Sequence, residues 1–167
     1  MEKPLNQSIW KRKKTKLSDL EKILKRMELI TNKVPGLCEL LYYDYQISNA
    51  IVEFQWRSNF IKGKTLEAVL QEETNLSSLI IIFKNLQKLE LNWKNLGFIH
   101  GDLSLKNFII TENYELVAID WSLDNNKYFS TPAFSSFIDF FYNEKSMQGQ
   151  HISFLKLRAA VFSKISS

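Results

Sequence analysis

Cysteine is nearly missing from this chain: Cys38 is alone among 167 residues. A disulfide within the chain is therefore excluded, and such usage fits a reducing compartment. Cys38 stands in the apolar run GLCELLYY, where a thiol is expected to fill core space rather than to act as a nucleophile. Histidine is scarce too. His100 and His151 are the only two, too few with one cysteine for a zinc site built from His and Cys. Glycine occurs five times, which argues against a glycine-rich binding loop anywhere in the chain. Long apolar runs are missing as well. The longest, Leu79 to Phe83, is far too short to span a bilayer. The N-terminus has no apolar core of the secretory type. The expectation is a soluble cytoplasmic protein that does not cross a membrane.

What is present is the composition of a globular chain. Apolar residues make up 45% and charged residues 24%, enough to bury a core. The length suits one ordinary domain or two very small lobes. The net charge is +4, and six of the first 16 residues are basic: Lys3, Lys11, Arg12, Lys13, Lys14 and Lys16. Such a cluster suits phosphate, nucleic acid or an anionic membrane surface. The plainer reading is a solvated segment without a partner. That reading is preferred, and nucleic acid is not expected as a direct partner.

Hydrophobic periodicity orders the elements. SIWKRKK reads as a short strand, and 17–30 as an amphipathic helix with Leu17, Leu20, Ile23, Leu24 and Met27 near one face. Pro35-Gly36 ends it. LCELLYYDYQI and NAIVEFQW read as two strands separated near Ser48-Asn49. Thr65 is a good N-cap after a turn at Gly63. The longest helical pattern covers 75–96. Ile81 and Ile82 make it apolar on more than one side, so a central, buried helix is expected. Gly97 is its natural stop. FIIT and ELVAID read as a hairpin around Glu112-Asn113, ending at Asp120. Thr131-Pro132 opens a helix with Phe134, Phe137, Ile138 and Phe141 on one face. A last helix is expected over 152–165. The fold class is α+β, a small N-terminal sheet layer followed by a mostly helical part, with a hinge near 58–66.

Between the long helix and the hairpin lies a polar island, FIHGDLSLKNFII, residues 98–110. Asn107 follows Asp102 by five residues, and Asp120 follows Asn107 by thirteen. The hairpin folds back on itself, so its two ends can meet. Asn107 and Asp120 can then aim side-chain oxygens at one point, with Asp102 nearby. Two oxygen ligands completed by water and phosphate oxygens suit Mg²⁺. A further carboxylate beside the metal can orient a hydroxyl or take its proton.

These residues carry a resemblance. HGDLSLKN followed by AIDW is similar to the catalytic loop and metal-binding Asp of the protein-kinase-like superfamily. Its familiar form is His-Arg-Asp, four residues, Asn, then Asp-Phe-Gly. Gly101 in place of Arg, and Asp120-Trp121-Ser122 in place of Asp-Phe-Gly, are typical of the atypical branches. Those branches include the aminoglycoside and choline phosphotransferases, but the loop most resembles the RIO kinases, the KEOPS-complex kinase and the lipopolysaccharide-core sugar kinases. The resemblance extends over about residues 11–142. VPGLCELLYYD and NFIKGKTL look like the fourth and fifth strands and the hinge.

The resemblance implies a bilobal fold. Residues 1–62 would be a truncated N-terminal β lobe. Residues 63–167 would be a compact helical C-terminal lobe, with the catalytic loop at 98–110 and the metal-binding hairpin at 107–122. It gives Asp102 the catalytic role and makes Asn107 and Asp120 the Mg²⁺ ligands. Backbone near Asn59 and Ile61 would contact the adenine of ATP. Lys11, with Lys13 as the other candidate on the same strand face, would reach the phosphates. Its partner on the helix would be Glu28, core-facing beside Met27, with Glu21 second. His100 would support the loop structurally, and Asp139 would anchor it. Trp121, Tyr128 and Phe129 read as aromatic core, and His151 as a surface residue. Two features depart from the familiar pattern. MEKPLNQSIW holds no glycine to cover the phosphates. With Gly101 replacing Arg, no cation pairs with a phosphorylated activation segment.

Three functions stay open. One is transfer of the ATP γ-phosphoryl group to a hydroxyl of a protein Ser/Thr or of a glycolipid sugar. Another is a pseudokinase or nucleotide-binding scaffold, whose protein partner supplies what the short lobe lacks. The third is an ATPase.

Overall fold

The computed structural model describes residues 8–31, 34–122 and 147–166. It is an α+β structure with two small antiparallel sheets. The chain divides between Ile61 and Lys62 into two compact units.

The first unit is a three-stranded sheet with one helix. β1 (Ser8–Lys16) leads through a 3₁₀ turn, Leu17–Asp19, into α1 (Leu20–Thr31). β2 (Leu40–Ser48) and β3 (Ile51–Asn59) form a hairpin, and the sheet order is β1-β3-β2. The hairpin turn places Asn49 and Ala50 at φ 48° and 61°. Positive φ at both central residues is what the strand twist demands of a two-residue connection. β3 alternates cleanly: Val52, Phe54 and Trp56 are buried, while Ile51, Glu53 and Gln55 face outward. α1 buries Ile23, Met27 and Ile30, a stripe at helical spacing. Leu17, expected on that stripe, stands in the 3₁₀ turn and is exposed. Cys38 is buried, as its apolar setting suggested.

The second unit contains β4 (Lys64–Thr65), α2 (Leu66–Glu72), α3 (Leu76–Leu96), β5 (Phe108–Ile110), β6 (Leu116–Ala118) and α4 (Met147–Ser166). The sheet order is β4-β5-β6, antiparallel throughout. Thr65 caps α2 by accepting from Ala68 N, and Asn75 caps α3 by accepting from Ser77 N and Ser78 N. α3 packs against α4. Glu90 of α3 accepts from Arg158 and pairs with His151, both on α4, so His151 lies at the surface but is not without a partner.

The expectation that α3 is apolar and buried nearly all round is corrected. Leu79, Ile82, Leu86, Leu89 and Trp93 are buried, but Ile80 and Ile81 are 38% and 44% exposed. Consecutive residues turn by about 100° around a helix, so Ile81 cannot share the face of Ile82. Among the described residues, no helix is long and apolar enough to cross a membrane. The helix expected after Thr131-Pro132, with Asp139, and the residues Tyr128 and Phe129 lie outside the described residues.

Gly63 is fixed by close approach. A Cβ there would lie 2.3 Å from Ile110 O and 2.6 Å from Ile109 Cγ2. Because Ile110 O is backbone, Gly63→Ala must push β4 away from β5. The expected cost is about 1–3 kcal/mol, the scale of overpacking. Chemical denaturation of the variant beside the parent checks it.

Candidate functional site

The polar island is built by the end of α3. Gly97 takes φ 64°, Phe98 N donates to Trp93 O at 2.9 Å, and Gly97 N donates to Lys94 O at 3.2 Å. This paired closure is the Schellman stop, and its usual apolar contact is present as Phe98 against Trp93, ring centroids 5.0 Å apart. The chain leaves the helix fully buried through Phe98, Ile99 and His100. Gly101 then turns at φ 87°, in the region glycine tolerates, and brings Asp102 to the surface.

His100 supports the loop by packing. It is 0% exposed and stacks on Trp93 at 5.7 Å with 9° between the ring planes, with Phe108 on a further side at 6.5 Å. Its main chain is held twice. His100 N donates to Gln150 Oε1 at 2.7 Å, and His100 O accepts from Ser122 N at 2.9 Å. Gln150 Nε2 also donates to Phe98 O at 2.9 Å. Gln150 thus clamps the entry to the loop from α4, satisfying backbone groups that would otherwise be buried without partners. Sequence reasoning missed it. The signal was a polar residue on the stripe Gln150, Phe154, Leu157, Val161, all buried.

Asp102 and Asn107 meet directly. Asn107 Nδ2 donates to Asp102 O at 2.9 Å and to Asp102 Oδ2 at 3.0 Å. The short turn Leu105–Asn107 delivers Asn107 to the start of β5. Asn107 Oδ1 accepts no hydrogen bond among the described residues.

Asp120 is held over the same loop by the backbone on each side of it. Ile119 N donates to Asn107 O at 2.9 Å, and Ser122 N donates to His100 O at 2.9 Å. Asp120 itself has φ 64° and an exposed side chain, while Trp121 beside it is 5% exposed. A non-glycine residue in the left-handed region costs about 1–2 kcal/mol. It persists where the surroundings over-determine it; here the two flanking hydrogen bonds and buried Trp121 do so. The three polar residues therefore gather around one loop, two carboxylates and one amide. No group of three or more His, Cys, Asp or Glu suited to a metal occurs among the described residues. Such a set could hold a hard cation only with most of its shell supplied by water or a ligand.

No protein-family model matches the chain, and no curated protein matches it in sequence.

The remaining candidates lie in the first unit. Lys11 and Lys13 on β1 face the same way and are half-buried, opposite Trp56 and Phe54, whereas Arg12, Lys14 and Lys16 are exposed. Burial lowers the Lys11 ammonium below the ordinary lysine range, and negative charge on the Cys38 sulfur nearby opposes this. Asn59 closes β3 and donates its N–H to Glu39 O at 3.0 Å, and Ile61 is half-buried at the end of the unit. Glu28 does not occupy the core-facing position expected for it. Met27 is buried, but the next residue lies about 100° around the helix, and Glu28 is exposed with no ion pair among the described residues. Glu21, the second choice, is exposed and pairs with Lys25 within α1, Nζ to Oε1 2.7 Å.

Proposed function

We infer that the chain is a phosphotransferase of the protein-kinase-like superfamily, moving the γ-phosphoryl group of ATP to a hydroxyl with Mg²⁺. A bilobal kinase-like fold over the two units, with a cytoplasmic setting that suits the buried Cys38 thiol, belongs to this reading. The observation that carries it is the bracketing of Asp120 by the 119–107 and 122–100 backbone hydrogen bonds, beside the Asp102–Asn107 pair.

In this reading Asn107 Oδ1 and Asp120 hold the metal. The donor set fits: one amide and one carboxylate oxygen suit a hard ion that keeps water and phosphate in its shell. When bound, the ion neutralises charge on the phosphates. Asp102 faces the acceptor, aligns its hydroxyl and takes its proton. Asn107 Nδ2 orients the Asp102 carboxylate through their shared hydrogen bond. The buried stack of Trp93, His100 and Phe108 fixes the loop backbone, so orientation is pre-set rather than acquired during turnover. The acceptor is a protein Ser/Thr or a glycolipid sugar.

One observation favours the scaffold reading: Glu28 is exposed rather than in position to pair with a buried lysine. An ATPase would use the same three residues. Incubation with γ-labelled ATP and Mg²⁺ separates the three. Label on protein or sugar is the expected result. Label only in free phosphate identifies an ATPase, and label retained in ATP leaves a scaffold.

The same reading gives Lys11 a phosphate contact. Lys11→Ala is expected to weaken nucleotide binding about tenfold or more, the scale of a charge-assisted contact. Lys14→Ala, on the opposite face of β1, is expected to change it little. Titration of ATP into both variants checks this. Equal and negligible effects would remove Lys11 from the site.

A further inference from the structure

Three of the four tryptophans, Trp56, Trp93 and Trp121, are at most 5% exposed, but Trp10 is 53% exposed. It sits on the face of the β1-β3-β2 sheet opposite Val52, Phe54 and Trp56. The register sets Trp10 of β1 and Tyr42 of β2 on either side of Arg57 of β3. A bulge at Leu41 makes this possible. Leu40 pairs with Ser58 and Tyr42 with Arg57, so Leu40 stays in the core while Tyr42 turns outward at 44% exposure. The Trp10 and Tyr42 rings meet edge to face at 6.0 Å, and the Arg57 guanidinium lies 5.6 Å from the Trp10 ring. Arg57 Nε is buried and meets no acceptor among the described residues. Cross-strand attraction explains why these three touch. It does not explain why a tryptophan ring is left in water.

Further along the same face stand Arg12, Lys14 and Lys16, all exposed, at every second position of one strand. Their Cα atoms recur about every 6.6 Å. Arg12, Gln46, Glu53 and Gln55 line a depression of about 280 Å³ with Tyr45. Asp44 and Glu53 oppose the cations, and Lys14 pairs with Glu53 at 3.8 Å. Glu39, across from Asn59, adds a third carboxylate at the far end, so four cations against three leave the face slightly positive.

We propose that this sheet face binds single-stranded nucleic acid. Trp10 offers the stacking surface for an unpaired base, and Tyr42 and Arg57 support it from the neighbouring strands. The row Arg12, Lys14, Lys16 tracks the phosphates, and the amides of Gln46 and Gln55 meet base edges. Stacking on an exposed ring needs a base that is not already paired, which sets a single strand above a duplex. The row of cations makes the affinity fall with salt. This site is independent of the phosphotransferase reading. It also revises the expectation of no direct nucleic-acid contact. A charge run is usually solvated, and the sequence alone did not show that an aromatic pair stands beside this one. The strand turns Lys11 and Lys13 away and leaves a three-residue row beside an aromatic pair.

The test is fluorescence anisotropy of the full chain with a labelled single strand of about 12 nucleotides, within the usual site size. RNA and DNA versions and the matching duplex are compared at about 50 and about 200 mM salt. Binding of either single strand, several-fold or more above duplex and weaker at the higher salt, supports the site. Trp10→Ala is expected to weaken it about tenfold, the scale of one lost stack. Trp10→Phe keeps a ring and should retain most of the affinity, which separates lost stacking from lost folding. Lys25→Ala, on α1, should bind like the parent. No binding at the lower salt, equal binding of duplex, or an unchanged Trp10→Ala overturns the proposal. So does a stronger preference for vesicles of anionic lipid that likewise depends on Trp10.

Discussion

Asp102→Asn is expected to bind Mg·ATP nearly as the parent does, yet to turn it over about a hundredfold or more slowly, the usual scale for a positioned base. The substitution keeps shape and removes charge. Asp102 is exposed, so no buried charge network collapses when its carboxylate goes. Asn107 Nδ2 keeps one of its two acceptors, because the 2.9 Å bond to Asp102 O is made by the main chain. The loop should therefore survive, with Gly101 still turning and His100 still clamped by Gln150. What is lost is the oxygen that takes a hydroxyl proton. That proton is absent when nucleotide binds alone, so affinity and turnover separate. Isothermal titration with Mg·ATP, alongside transfer of label from γ-labelled ATP, reads both. Equal losses in binding and turnover would place Asp102 in the nucleotide site. No loss in either would make it structural.

Trp93→Ala is expected to cost about 3–5 kcal/mol of stability, the range for large aromatic truncations in cores. Trp93 is 0% exposed and touches three rings: Phe98 at 5.0 Å, Phe154 at 5.6 Å and His100 at 5.7 Å. Its loss opens a cavity at the junction of α3, α4 and the loop. Phe98 loses the apolar partner that closes the helix, and His100 loses the surface it stacks on. The loop should loosen before the whole unit unfolds, so hydrogen exchange at 98–103 should rise more than at 52–58 in the first unit. Denaturant titration gives the total cost. A cost under about 1 kcal/mol, below the range for such truncations, would mean the stack does not support the loop.

Some of this was legible from local chemistry. Asn75 starts the long helix with a side-chain amide that caps it, and Gly97 stops it because glycine takes φ 64° without penalty. The turn after Ser48 follows from Asn49, which tolerates positive φ. The return of Ile119 to Asn107 was readable as a hairpin whose ends come back to one place. Long-range register was not legible. Strict alternation puts Leu40 and Tyr42 on one face, and only the bulge at Leu41 sends them to opposite ones. Glu28 was placed beside Met27 by adjacency, whereas helix geometry sends neighbours in different directions. Gln150 acts through backbone groups some fifty residues away, at Phe98 and His100, a pairing that no local pattern encodes. The exposure of Ile80 and Ile81 shows the same limit. Apolar content marked α3 as a core helix, but which side meets α4 was decided by packing.

In the proposed reading, Asp120 and Asn107 hold a divalent ion against nucleotide phosphates. Its most direct test is ATP affinity measured with Mg²⁺ and again with chelator, in the parent and in Asp120→Asn. Mg²⁺ is expected to strengthen binding to the parent about tenfold or more, as when an ion bridges carboxylate and phosphate, and Asp120→Asn to lose most of that gain. Parent binding indifferent to Mg²⁺, or a Mg²⁺ gain that survives in Asp120→Asn, would contradict it.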